Sequence, residues 1–262
     1  MRHDCKVYTH LIKMQFLATL EYKGWWIMCL QVLFICICDP LPTILMFRRM
    51  GAVGEWSMER ILLIYALALT SFGMAESLCR GFDTFPWRML QSGDFDRLFL
   101  RPRNLALQVA GSVFNIHRLA RAGIGLAAVI WALGRLGVSS SIYTVTMLTT
   151  ALWGGTLMYA GVFVLSSGIA FFTIKALDWI YILTNASYQV TRIPMDYMPT
   201  ILKRAFTFLL PVLFISYYPA AAICGWEGGS LGWLALPMGA LFLALSIVVW
   251  RFGVRHYQST GS

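Results

Sequence analysis

The chain alternates long apolar runs with short polar connections, and six of the runs can cross a bilayer, which takes about 20 residues per helix. They lie near 25–47, 59–79, 115–134, 143–172, 204–224 and 231–250. The fourth is long enough to tilt or to protrude from the membrane. Pro40, Pro42, Pro211 and Pro219 should kink or break the first and fifth runs, because proline lacks a backbone donor and crowds the preceding turn. The pattern predicts an all-α integral membrane protein with six transmembrane helices, a single domain over 1–262. Ahead of the first span, residues 1–24 place His10, Lys13 and Glu21 on one side of a helical wheel and Tyr8, Leu11, Ile12 and Tyr22 opposite. Leu17 and Thr19 interrupt this order, but it still predicts an interfacial helix on the inner membrane surface.

Composition supports the same class. Of 262 residues, 58% are hydrophobic and only 13% are charged, against about 25% charged in a soluble domain. A water-soluble globule is excluded. With the N-terminus inside, 17 of the 21 basic residues fall on inner segments and only Arg48, Arg49, Arg60 and Arg135 fall outside. Inner loops carry such a basic excess, so both termini are expected in the cytoplasm. The net charge of +9 then reports topology, and no nucleic-acid partner is expected. The first apolar run, starting near Trp25, is too long for a cleavable signal peptide. The six cysteines are scattered and indicate neither a disulfide framework nor a metal site. Trp25, Trp26, Trp56, Trp131, Trp226 and Trp233 lie near span ends, where an aromatic belt is expected. There is no nucleophile elbow and no His-Glu-x-x-His, so no catalytic residue is assigned.

One polar island stands apart. The longest inner connection, 81–114, contains Gly93-Asp94-Phe95-Asp96-Arg97-Leu98-Phe99-Leu100-Arg101-Pro102. Asp94 suits a helix N-cap and Asp96 the first turn, while Pro102 disfavours helix at Arg101. A helix of two turns is predicted. Phe95, Leu98 and Phe99 share one face, and Arg97 and Arg101 another. So short a helix is barely stable alone. Its aromatic face must lie in a partner's groove, on the headgroups, or on the protein's own inner surface.

The island resembles the Gly-x-hydrophobic-Asp-x-x-Leu-x-Arg-Pro signature of ABC-2 type permease subunits of ATP-binding-cassette exporters. Two further stretches resemble that family: Gly54-Glu55-Trp56-Ser57 leading into Glu59-Arg60-Ile61, and Leu210-Pro211 followed by Tyr217-Tyr218-Pro219-Ala220. The resemblance implies the transmembrane half of an exporter in a bacterial cytoplasmic membrane. It also implies a second permease subunit, identical or paralogous, and separate ABC ATPase subunits beneath. In that family the loop after the second span carries a coupling helix that docks on the ATPase. Carried over, the docking residues are Asp94, Phe95, Asp96, Arg97, Leu98, Phe99, Leu100 and Arg101, with Phe95, Leu98 and Phe99 as anchors. This chain has no Gly-x4-Gly-Lys-Ser/Thr phosphate loop. It is expected to be a transporter subunit and not an enzyme, with no cofactor of its own; ATP is used by the partner.

Other residues carry weaker signals. Asp39, in Cys38-Asp39-Pro40-Leu41-Pro42, is an acid in the outer half of the first span. Intramembrane acids are costly and mark pathways by default, so Asp39 either meets a cationic substrate or is wet or paired with Arg48 or Arg49. Glu76 and Arg80 read as a local i, i+4 ion pair. Asp178 and Asp196, in the segment 173–203, need no special role, although that segment is a further candidate for ATPase contact. Gly154, Gly161 and Gly168 form a stripe on the fourth span, which permits close helix approach within the subunit or between subunits. The expected substrate is amphipathic or lipophilic. A secondary transporter and a membrane anchor or assembly factor are the rival functions; the first should show internal repeats and more mid-membrane acids.

Overall fold

The structure, a computed structural model, describes residues 2–21, 23–51, 56–100, 103–114, 116–173, 189, 198–209 and 211–258. Those residues contain helices and no strand. An N-terminal helix α1 (Arg2–Glu21) precedes α2 (Trp25–Cys38) and α3 (Leu41–Met50), which together form the first span. The joint between α2 and α3 falls at Asp39-Pro40, as the proline requires.

The second span, α4 (Met58–Phe85), is the hub, buried along most of its length against α7 and α8. Ser57 caps it by accepting from the Arg60 N–H, and Glu59 sits in the first turn, where negative charge suits the dipole. A π-turn at Pro86–Leu90 extends it, so this span is longer than the sequence indicates and runs to residue 90. Its helix is broken internally at Cys79, whose φ is −128° and ψ 17°. One residue earlier, the Leu78 carbonyl accepts from the Tyr8 hydroxyl at 2.7 Å. That bond, with the Phe16–Phe114 ring contact, seats α1 against the body. Burial, followed by the neighbouring Cys79, raises the Tyr8 pKa above the ordinary phenol range.

Two short helices follow, α5 (Asp96–Phe99) and α6 (Leu105–Ala110), before the third and fourth spans, α7 (Ile116–Arg135) and α8 (Ile142–Ala170). Helix α7 runs antiparallel to α4. A Cβ at Gly73 would lie 2.7 Å from Ala122 N, and one at Gly125 would lie 2.5 Å from Thr70 Oγ1, so the two glycines set how closely the helices approach. On α8, Ser141 caps the N-terminus by accepting from the Thr144 N–H.

The fifth span is not one helix. Helix α9 (Thr200–Arg204) passes into a π-turn at Ala205–Leu209, and after Pro211 a 3-10 turn (Val212–Phe214) leads to α10 (Tyr217–Cys224). The two halves meet at 75°. Pro211 interrupts the hydrogen-bond ladder, whereas Pro219 sits in the first turn of α10, where no intrahelical donor is lost. Helix α10 ends at Gly225, which takes a left-handed φ of 72°. A 3-10 segment (Gly229–Leu234) then packs back on α10 and leads into the last span, α11 (Ala235–Arg255).

Gly154, Gly161 and Gly168 face α11 within the same subunit. A Cβ at Gly154 would lie 2.5 Å from the Ala235 carbonyl, one at Gly161 2.6 Å from Phe242, and one at Gly168 3.0 Å from Trp250 N. This ordered series makes α8 and α11 parallel and closely packed. The starts of α4, α8 and α11 share one end of the bundle. There the Trp56 ring meets Tyr217 and Trp226, and Tyr143 meets Trp233. Trp56 is thus buried in the core, and Trp226 lies partly buried beneath the Arg60 guanidinium, so neither belongs to the expected lipid belt. The opposite end carries α1, α5, α6 and the C-terminus of α11.

Candidate functional site at the α5 end of the bundle

The polar island follows directly from the end of α4. Gly93, with a φ of 75°, supplies the left-handed step that reverses the chain. The Phe95 N–H then donates to the Met89 carbonyl at 3.1 Å, which folds the island back under the bundle. Asp94 does not act as the helix cap; Phe95 holds that position without a side-chain bond. Asp94 instead closes the preceding turn: Ser92 Oγ donates to its carboxylate at 3.1 Å and accepts from its N–H. Asp94 also pairs with Arg97 at 3.2 Å on an exposed surface, where such a pair contributes little. Helix α5 is one turn rather than two.

The three expected anchors separate. Phe95 is fully buried, 0% exposed, inside the protein itself. Its ring lies 5.0 Å from Phe85 of α4, 5.5 Å from Phe171 after α8, 6.3 Å from Trp250 of α11 and 5.0 Å from Tyr257 beyond it. Most of these contacts are edge-on, the geometry aromatic quadrupoles favour. Leu98 packs partly buried beside this cluster. Phe99 stacks on Tyr257 but remains 49% exposed, and Leu100 is 84% exposed. Burial, followed by the Asp96 carboxylate, raises the Tyr257 pKa. Arg101 lies outside the described residues, as do Asp178, Asp196 and the rest of 174–188 and 190–197.

Phe95 therefore acts as a pin, and the outward surface is Arg97, Phe99 and Leu100. The cluster that holds Phe95 joins the ends of α4, α8 and α11.

A second constellation, between α4 and α7, is larger than the local pair expected at Glu76. Glu76 is 1% exposed and accepts from Arg80 at 2.6 Å, Arg118 at 2.9 Å and Arg121 at 2.7 Å. Arg80 also reaches Asp83 at 2.8 Å, and the Arg121 guanidinium lies over the Phe72 ring. In the sequence Arg118 and Arg121 lie 42 and 45 positions from Glu76 and count only among the inner-side basic residues. The available signal was Glu76 itself, since a buried acid in an apolar helix needs more than one exposed partner.

Toward the other end, Asp39 is exposed at the α2–α3 joint and accepts from the Tyr65 hydroxyl at 3.3 Å. Both border a cavity of about 320 Å³ whose walls include Thr43, Ile61 and Leu62. Asp39 thus lies on a cleft between the first span and α4, with Tyr65 as one partner.

Among the described residues, five long apolar helices and a sixth, broken one define a polytopic α-helical membrane protein. A family model described as ABC-2 family transporter protein matches residues 33–261, and the chain belongs to that family, as an ABC-2 type permease. No curated protein matches the chain, and no solved structure does.

Proposed function

We propose that this chain is the membrane-spanning permease subunit of an ATP-driven exporter, which forms its pathway with a second permease subunit and is worked by a separate cytoplasmic ATPase. Family membership supports an ABC permease subunit and association with ABC ATPases. The observation that carries the coupling role is the division within the island, in which Phe95 is locked among three span ends while Phe99 and Leu100 face outward. A docking element needs both a rigid attachment and a free apolar face. The basic-residue bias supports a cytoplasmic position for the α5 end and for both termini; the bacterial inner membrane follows from the family resemblance alone. The apolar spans and the acid at Asp39 support an amphipathic or lipophilic substrate.

The test is recovery of the ATPase with the affinity-purified permease. Leu100→Asp places a charge on the outward face without touching the cluster, and it is expected to abolish co-purification of an ATP-hydrolysing subunit while the permease inserts normally. Undiminished recovery would remove α5 from the docking surface.

A further inference from the structure

Beside the aromatic cluster, a groove of about 580 Å³ runs between α6 and the last turns of α11. That volume lies within the ~300–1,000 Å³ typical of ligand sites. Leu105 forms part of one wall; Ile247, Trp250 and Val254 form the other, and Arg251 and Arg255 stand at the rim. The α11 residues follow i, i+3, i+4, i+7 and i+8 spacing, so they share one helix face. Both arginines are exposed, and neither pairs with an acid among the described residues. No acid lines the groove among the described residues either.

We propose that this groove holds an anionic phospholipid, with an acyl chain against Leu105, Ile247 and Val254 and the phosphate on Arg251 and Arg255. Three features select a lipid over a soluble occupant. The neighbouring face of α11 exposes Leu241, Leu245, Val248 and Phe252, as a helix flank turned to lipid does. The helix has 21 residues, so its final turns lie about 30 Å from its start, at the depth where headgroups begin. Finally, apart from Asn104 at the start of α6 the walls are apolar, and the rim is basic, the order in which a lipid presents chain and phosphate; basic pockets at helix ends take anionic headgroups in this way. Trp250 faces both the groove and the Phe85 ring, 4.8 Å away. Occupancy therefore braces the cluster that holds Phe95. Lipid binding rests on the membrane-spanning fold alone; only this bracing effect depends on the coupling role of α5.

The experiment uses the purified, delipidated full chain without any ATPase. Phosphatidylglycerol and phosphatidylcholine of identical chains are offered together, and retained lipid is read by native mass spectrometry. The wild type is expected to favour phosphatidylglycerol by about tenfold. Arg251→Gln with Arg255→Gln should erase that preference. Leu105→Trp, which fills the slot and keeps the charge, should lower retention of both lipids. Glycerol phosphate, a headgroup without chains, should displace neither. Equal retention of the two lipids by the wild type overturns the proposal, and so does a preference that survives in the arginine variant or an undiminished retention of both lipids by Leu105→Trp. Displacement by glycerol phosphate overturns it in favour of a phosphate site. Loss of a co-purifying protein in the arginine variant, with lipid preference intact, overturns it in favour of a protein interface.

Discussion

The Phe85 and Phe95 rings meet edge to face with centroids 5.0 Å apart, so the loop that leaves α4 is fastened to the last residue of the helix it leaves. This contact separates two roles that a helical wheel merges. Phe95→Ala would empty a fully buried site, which costs about 3–5 kcal/mol for a phenylalanine. The expected result is a permease with a clearly lowered unfolding temperature in detergent. Leu100→Asp should leave that temperature unchanged and act only on ATPase recovery. If Phe95→Ala left stability intact, the pin would be refuted.

Glu76 holds three arginines with one carboxylate. Glu76→Gln keeps the shape but removes the charge, leaving Arg80, Arg118 and Arg121 facing one another at the α4–α7 contact. Breaking a buried ion cluster from one side costs about 3–5 kcal/mol, so the variant should express poorly or melt early. Arg121→Gln leaves Arg80 and Arg118 on Glu76 and should be milder. Thermal unfolding of the two variants in the same detergent ranks them, and an equal effect would argue against Glu76 as the centre.

What was legible in the sequence follows from which interactions are local. The spans at 25–47 and 143–172 are visible because a bilayer demands a continuous apolar run, and Pro40 and Pro211 mark breaks because proline acts on its own helix. The destination of Phe95 was not legible. It depends on Phe171, Trp250 and Tyr257, which arrive from distant parts of the chain, and a helical wheel shows a face but not what covers it. The loss of Asp94 as a cap has the same origin, because the Phe95 bond to Met89 moves the helix start. Arg118 and Arg121 looked like topology charges since nothing local links them to Glu76, which lies 42 and 45 positions earlier.

The α8–α11 seam makes a controlled comparison possible. At Gly154 an added Cβ would lie 2.5 Å from the Ala235 carbonyl, while at Gly123 on α7 nothing lies within 4 Å. Gly154→Ala should therefore cost about 1–3 kcal/mol by overpacking backbone against backbone. Gly123→Ala should be neutral or stabilising by up to about 1 kcal/mol through helix propensity. Unfolding curves of both variants check this, and identical curves would mean that the seam yields freely.

Asp39 gives the cleft its negative charge, beside the polar groups of Tyr65, Thr43 and Gln189. A carboxylate in the outer half of a span attracts cations and does little for neutral amphiphiles. If the cleft belongs to the pathway, Asp39→Asn should weaken export of an amphipathic organic cation by about tenfold, the equivalent of one lost charge contact of about 1.4 kcal/mol. Export of a neutral analogue of the same size should hardly change. Tyr65→Phe removes one donor to Asp39 without altering charge, so its effect on the cation should be smaller. The measurement is efflux of the two probes from cells expressing each variant at matched levels. Equal loss for both probes would assign Asp39 to folding, and unchanged efflux of the cation would place the pathway elsewhere.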